Sequence, residues 1–562
     1  MNQERVPFDK RIVLRFISAV KSFATSEHGW QAIFMFAGLV LLLLAINGAN
    51  VLNSYVGRDF MTAIENRNRS AFVEEAVLYV GVFAASTIVS VLSRFIEERL
   101  GLLWREFLTR GAINAYLDNG AYYRLETTAA LPNPDQRIAE DIRAFTVTTL
   151  SFVLMLLNSA FTVVAFSGVL WLISPLLFGV AVLYAACGSF VTIALGRPLV
   201  KLDHDQLDKE ANFRSGLTHV RENAESILLA HREDRLRARL LNRLDSFANN
   251  FRKITSVNRN VGFFTTGYNW LIQIIPALIV APFFIAGEVE FGVITQSAIA
   301  FTLIVNALSL IITQVQSISN FAAVVDRLNS LVEALERSPA PTTAGIEIKE
   351  EDQRLAYEEL TLFSPPDNQP VLKDLLISIP VGGRILITGR NESGKAALFR
   401  ATAGLWTSGQ GRIVRPPASG IGFLAERPYL PPGGLREVLL PAEPKHSISD
   451  QEINALLHEL ELESVLARAG GLDVEQDWAT LLSVGEQRLL AFVHILLSAP
   501  RFVLLDRAGI VLSPSQFRNV LRMLSNKAIA YLSIGAKDDV GDFYDAVLEI
   551  NELGTWRFVN RL

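Results

Sequence analysis

The chain has 562 residues, 50% hydrophobic and 19% charged, with a mean hydropathy of +0.30 and a formal net charge of −5. That length suits two or three domains, the apolar excess points to membrane spans, and the mildly acidic balance argues against a dedicated nucleic-acid partner. A single cysteine, Cys187, excludes an internal disulfide and any cysteine-rich metal site, and the seven histidines form no tight cluster with Cys or acids.

In chain order, residues 1–28 come first. Basic Arg5, Lys10, Arg11 and Arg15 interleave there with Phe8, Ile12, Val13 and Phe16. No short apolar core and cleavage site of a secretory signal is present. The spacing predicts an amphipathic helix, lying on the cytoplasmic membrane surface or at an ordinary solvent edge. Six apolar stretches follow, at Trp30–Leu52, Ala76–Val91, Thr148–Leu172, Leu176–Leu195, Phe263–Ala286 and Val293–Ile318. Most reach the ~20 residues that a spanning helix needs.

The intervening segments Glu97–Arg143 and Arg197–Arg259 are rich in arginine, whereas Ser174-Pro175 and Gly287–Gly292 carry no Lys or Arg. The positive-inside rule places the two basic segments, the N-terminus and the C-terminal domain in the cytoplasm. Gly57–Arg69, with Arg58, Arg67 and Arg69, runs mildly against this. Both basic segments read as helical continuations of the spans. Polar residues within the spans, among them Asn47, Asn158 and Tyr268, either line a cavity or join helices by hydrogen bonds. The membrane domain is thus expected over residues 29–335 and a linker, with Pro339 and Pro341, over 336–349.

From residue 350 to 562 the pattern changes to short β runs alternating with helices, the sign of an α/β domain with a parallel sheet. The strand Arg384–Thr388 leads into Gly389-Arg390-Asn391-Glu392-Ser393-Gly394-Lys395-Ala396, a G-x-x-x-x-G-K phosphate-loop frame with a helix expected from Lys395. Such a loop surrounds phosphate oxygens with backbone N–H groups and a helix N-terminus, and its lysine adds a point charge. The frame ends in Ala396 where a Ser or Thr hydroxyl would bind Mg²⁺. Further on, Leu482-Ser483-Val484-Gly485-Glu486-Gln487-Arg488 precedes an apolar helix and a strand expected over Arg501–Asp506, whose terminal Asp506 suits a Mg²⁺-associated carboxylate.

The order of these motifs resembles the ATP-binding cassette. Six spans of exporter type fused to one such α/β cassette resemble an ABC half-transporter over nearly the whole chain. Leu103–Leu108, Asn133–Asp141, Arg221–Ile227, Val325–Leu328 and Arg427–Pro431 are similar to bacterial relatives of the subfamily D, peroxisomal fatty-acyl half-transporters. Their membrane domain is in turn similar to SbmA/BacA-like peptide transporters. The resemblance implies that Asn133, Pro134, Asp135 and Gln136 couple the membrane helices to the cassette, and that Ser483, Gly485 and Glu486 serve a partner's ATP in a dimer. It also implies a multi-pass protein of the bacterial inner membrane.

Departures from that pattern fall on the chemistry. Glu392 stands where the family has a glycine, Glu426 for the Q-loop glutamine, Val484 for a signature glycine and Arg507 for the water-orienting glutamate. Ser513 stands for the D-loop aspartate and Ala536 for the switch histidine. No catalytic or metal-binding set is intact, so weak ATP binding, doubtful Mg²⁺ binding and negligible hydrolysis are expected. Glu392 and Arg507, opposite in sign, either pair, or Arg507 fills the phosphate position, or both face solvent.

Three functions follow from the resemblance. The first is a transporter half for a peptide, hydrophilic solute or acyl lipid, as a homodimer or beside a competent half-transporter. The second is a proton-driven carrier. The third is a non-transporting membrane scaffold or nucleotide-gated regulator.

Overall fold

The computed structural model describes residues 21–128, 131, 133–310, 314–336, 345–365, 367–441, 448–536 and 542–560. The predicted amphipathic helix therefore lies almost wholly outside the described residues, as does most of the proline-containing linker. The chain divides into two compact units, Met1–Ser338 and Pro339–Leu562.

In the first unit, five helices among the described residues are long and apolar enough to cross a membrane. They are α1 (Gly29–Glu65), α2 (Arg69–Leu117), α3 (Ile142–Ile173, entered through Pro134–Asp141), α4 (Pro175–Glu222) and α5 (Glu233–Ile285). Their outward faces carry exposed apolar side chains such as Phe34, Leu41, Val80, Leu172 and Phe263. So much exposed apolar surface suits lipid. As expected, the helices outrun the bilayer: the 53 residues of α5 span ~80 Å at the α-helical rise.

The sixth expected span differs. Its first part is α6 (Gly292–Leu308), only 17 residues long, or ~26 Å against a hydrocarbon core of ~30 Å. The helix closes at Ser309, whose N–H is shared between the Ala307 and Val305 carbonyls. Residues 311–313 lie outside the described residues, and α7 (Val315–Glu336) follows.

Polar residues inside the bundle join helices. The buried Asn47 of α1 donates to Asn158 of α3 at 2.9 Å and accepts from Thr162 at 2.8 Å. Tyr184 of α4 and Tyr268 of α5 stack with centroids 4.2 Å apart, each hydroxyl donating to the other's carbonyl at 2.7 and 3.1 Å. Gly188, one helical turn on, lets the Tyr268 ring in: a Cβ there would fall 2.2 Å from a ring carbon. These residues act as helix–helix bonds.

In the second unit a four-stranded sheet has the order β1 (Glu347–Glu350), β5 (Gly409–Arg415), β2 (Arg354–Ser364), β3 (Gln369–Pro380). β1 starts inside the segment read as linker, because it pairs parallel with β5. A six-stranded sheet has the order β12 (Trp556–Asn560), β11 (Ala546–Ile550), β4 (Arg384–Thr388), β10 (Ala530–Ile534), β9 (Phe502–Asp506), β6 (Ile421–Leu424). The small strands β7 (Gly433–Gly434) and β8 (Glu475–Gln476) pair separately. The five strands from β11 to β6 are parallel. Their unbroken runs, such as Phe502–Leu505, are buried, as a sheet covered on both faces requires.

The helix expected from Lys395 starts earlier, as α8 (Glu392–Thr402), because the Asn391 side chain caps it at the Gly394 N–H. Two further helices of this unit, α9 (Val484–Ser498) and α10 (Pro514–Asn526), pack against each other.

Gly188→Val is expected to destabilise the membrane unit by about 1–3 kcal/mol, since the stacked and doubly bonded Tyr268 ring has nowhere to move. Thermal unfolding of the detergent-solubilised chain measures this. Adding Tyr268→Ala should recover part of the loss, because the two effects meet at one contact.

Candidate functional site

The parallel register brings four strand ends level. Ile534 pairs with both Ile387 and Asp506, and Glu549 pairs with Thr388. The segments leaving these ends, Gly389–Lys395, Arg507–Ile510, Gly535-Ala536 and Asn551–Leu553, line one cavity of about 1060 Å³. Ligands of open α/β sheets bind at such carboxyl-end crevices.

Within the loop, Gly389 has φ +118°, and a Cβ on it would meet the Ile550 carbonyl at 2.1 Å. From Arg390 to Lys395 no residue has positive φ, so the alternating left- and right-handed backbone of an anion nest does not form there. Several donors are also committed: Glu392 N–H to the Arg390 carbonyl, Gly394 N–H to Asn391 Oδ1, and Lys395 N–H to the Asn391 carbonyl. Asn391 Nδ2 reaches the Val371 and Asn551 carbonyls, which ties the loop to its surroundings. Arg390 and Ser393 are exposed, and Ala396 offers no side-chain oxygen.

The Lys395 side chain is buried, and its ammonium donates to the Gly389 carbonyl at 2.8 Å and to Glu392 Oε1 at 2.7 Å. Glu392 Oε2 accepts from Arg507 at 2.7 Å, and the other arm of that guanidinium reaches Glu426 at 3.4 Å. Of the three expectations for Glu392 and Arg507, pairing is the one observed. Burial pushes the Glu392 carboxyl up, but Lys395 and then Arg507 outweigh it and hold the group below its ordinary value. Arg507 is left-handed at φ 49°, with its N–H bonded to the Ile534 carbonyl at 3.1 Å. Asp506 is half-buried and burial raises its pKa, partly opposed by the neighbouring Arg507.

The remaining positions are occupied structurally. Ser483 and Glu486 form a capping box at the start of α9, with the Ser483 N–H and hydroxyl both 2.9 Å from Glu486 Oε2. Glu486 also pairs with Arg468. Gly485 lies beside Val511, and Val484 is exposed. Ser513 caps α10 through a second capping box with Gln516, a task that Ser and Asp perform equally well. Ala536 lines the cavity wall.

Arg488 has no role in the sequence reading, and it proves central. Fully buried on α9, it donates to the carbonyls of Arg507 and Ala508 at 3.0 and 3.1 Å and to that of Glu426. It thus fixes from behind the two segments whose side chains meet in front. The available signal was an arginine at the head of an apolar helix.

In the membrane unit, Asn133 is left-handed at φ 50° and begins a short helical turn, Pro134–Gln136, in which Asn133, Asp135 and Gln136 are exposed. The next residues turn inward. Arg137 donates to the Arg327 carbonyl at 2.7 Å, and Arg327 of α7 forms a two-armed pair with the buried Asp141 at 2.7 and 2.8 Å. Arg137–Asp141 is a π-helical turn, a local form often found at functional positions.

A helical, apolar membrane region followed by a phosphate-loop α/β cassette defines the half-transporter class. Residues 21–285 match the family described as ABC transporter transmembrane region 2, and residues 372–508 match that described as ABC transporter. An uncharacterized ABC transporter ATP-binding protein of Synechocystis sp. is 34% identical over 543 residues, covering 94% of this chain and 82% of that protein. ABC transporter D family member 2, chloroplastic, of Arabidopsis thaliana is 33% identical over 612 residues, covering 96% and 86%. The human lysosomal cobalamin transporter ABCD4 is 25% identical over 595 residues, covering 99% and 97%. The chain belongs to the ABC transporter family, as a half-transporter with its membrane region fused to its cassette. Members of this family bind ATP with Mg²⁺ and generally work as dimers in the membrane.

Arg488→Met is expected to lower cassette stability by about 2–4 kcal/mol, because it leaves buried carbonyls without their charged donor. Denaturant unfolding followed by the fluorescence of Trp478, buried in this unit, would report the loss.

Proposed function

We propose that this chain is a transporter half whose own ATPase site is impaired, and that it works beside a second half-transporter with a competent site. The observation that carries this reading is the Glu392 carboxylate held between Lys395 and Arg507. A nucleotide phosphate at the lysine would meet a carboxylate already bonded to it. Each ion pair of this half-exposed carboxylate is worth only ~1 kcal/mol, so breaking the pairs is a minor cost. Like-charge repulsion at ~4 Å is the larger effect, from ~1 kcal/mol in water to ~4 near a protein surface. That range corresponds to roughly fivefold to a thousandfold in affinity.

Loss of the chemistry is a separate argument. Ala396 lacks the oxygen that Mg²⁺ needs, and Arg507 and Ala536 replace groups that orient water and sense the last phosphate in the family. As they stand, these residues do not fit Mg²⁺ and a triphosphate. Phosphoryl transfer rests on positioning and electrostatics, so no route through this site is left.

The membrane side keeps what coupling requires. The exposed Asn133–Gln136 turn, anchored by the Arg137 and Asp141 contacts to Arg327, supports a role for that turn in coupling to a cassette. Both ends of the chain lie in the cytoplasm in this reading, with six spans and a bacterial inner-membrane location. The substrate is a peptide, a hydrophilic solute or an acyl lipid.

Purified alone in detergent or nanodiscs, the chain is expected to hydrolyse ATP at background rate, and Lys395→Ala is expected to change nothing. Turnover near ordinary transporter rates that Lys395→Ala abolishes would refute the reading. With a co-purified half-transporter, hydrolysis should appear and depend on the partner's phosphate-loop lysine.

A further inference from the structure

Three substitutions in this site compensate one another. Glu392 adds a negative charge to the phosphate loop, Glu426 adds one beyond β6, and Arg507 supplies the positive charge that reaches both. Arg507 directly follows Asp506, the carboxylate assigned to Mg²⁺, and lines the same cavity as Glu392 and Lys395. Lys395 meanwhile makes with Glu392 the contact that a phosphate-loop lysine makes with a phosphate oxygen.

We propose that Glu392 and Arg507 are a tethered anion and a tethered cation standing in the places of a bound phosphate and its Mg²⁺, so that this cassette carries its own ligand. Removing the Glu392 carboxylate then uncovers a polyphosphate site that works without metal. This rests on the reading of the site as impaired and goes beyond it, because it states what fills the site and what the emptied site would take.

Three observations support it. The cavity, about 1060 Å³, has the size of a small-molecule site, and Lys395, Arg507 and Arg390 are its cations. Arg390 is 3.9 Å from Glu552 and contributes less, which leaves Lys395 and Arg507 to hold an anion. The left-handed backbone of Arg507 is a cost for a residue with a side chain, and such outliers persist where the surroundings impose them. Here the Ile534 carbonyl in front and Arg488 behind fix the Arg507 backbone. The root of the side chain is therefore fixed in the site, and from it the guanidinium reaches both Glu392 and Glu426.

The test is binding of inorganic tripolyphosphate to the full chain in detergent, in EDTA and in excess Mg²⁺. The wild type should bind poorly in both. E392G should bind at least about fivefold tighter in EDTA, from loss of one like charge at contact range. Mg²⁺ should leave that affinity unchanged or weaken it. E392Q, which keeps the side-chain volume, should gain in the same direction, and so guards against a folding defect in the glycine variant. E392G with R507E should lose binding in EDTA.

The proposal is overturned if folded E392G and E392Q bind no tighter than the wild type. It is also overturned if their binding requires Mg²⁺, or if the R507E double variant still binds in EDTA. Failure of the impaired-site reading is a different result, namely Lys395-dependent hydrolysis by the unmodified chain.

Discussion

The parallel register of β11, β4, β10 and β9 is the constraint on which the site depends. Because Ile387, Ile534 and Asp506 stand level, every loop leaving that edge of the sheet opens into the same space. A residue placed just past one strand end must come to terms with residues just past the others. Glu392 and Arg507 are 115 positions apart in sequence, and this register is what makes them neighbours. A charge introduced on one loop without an answer on another would be left half-buried and unpaired, which is the costly arrangement.

The compensation therefore has a physical order. The fold supplies proximity through main-chain pairing, and Arg488 supplies rigidity by holding the Glu426, Arg507 and Ala508 carbonyls in the interior. Only then can a long, flexible guanidinium be held between two carboxylates without a large entropic cost. The ion pairs in front are individually weak, and the scaffold behind them is strong. The charges sit where the backbone puts them, and they do not hold the backbone in place.

Much of this was legible in the sequence. Apolar runs gave the long helices, the β4 and β9 strands fell at Arg384–Thr388 and within one residue of Arg501–Asp506, and opposite charges at two phosphate-facing positions suggested their pairing. Local pattern failed where a tertiary contact or a side-chain cap decides. Asn391 starts α8 three residues before the expected Lys395, because its amide serves the Gly394 N–H and two distant carbonyls at once. The stretch Val293–Ile318 reads as one uncharged, largely apolar span, yet α6 closes at Ser309 through backbone geometry that hydropathy does not register. Arg488 and the Arg137–Asp141 contacts with Arg327 join segments far apart in sequence, so no local window contains both partners. For Asn47 and Tyr268, cavity lining and helix bonding predict the same residue types, and only the observed partners separate the two.

The pattern of kept and changed residues follows from what each one touches. Gly389 and Gly394 hold their family identities, and each is pressed against backbone: a Cβ would meet the Ile550 carbonyl at 2.1 Å in the first case and the Val371 carbonyl at 2.7 Å in the second. Lys395 ties the loop to itself through the Gly389 carbonyl. Arg488 is structural in the same sense. By contrast, Arg507 and Ala536 line the cavity, where a side chain meets the open space and not the backbone packed behind it. A phosphate-loop frame thus has packing reasons to persist that are separate from any chemistry it performs. In this chain the glycines identify the fold, and the residues facing the cavity have to be read separately to learn what it does.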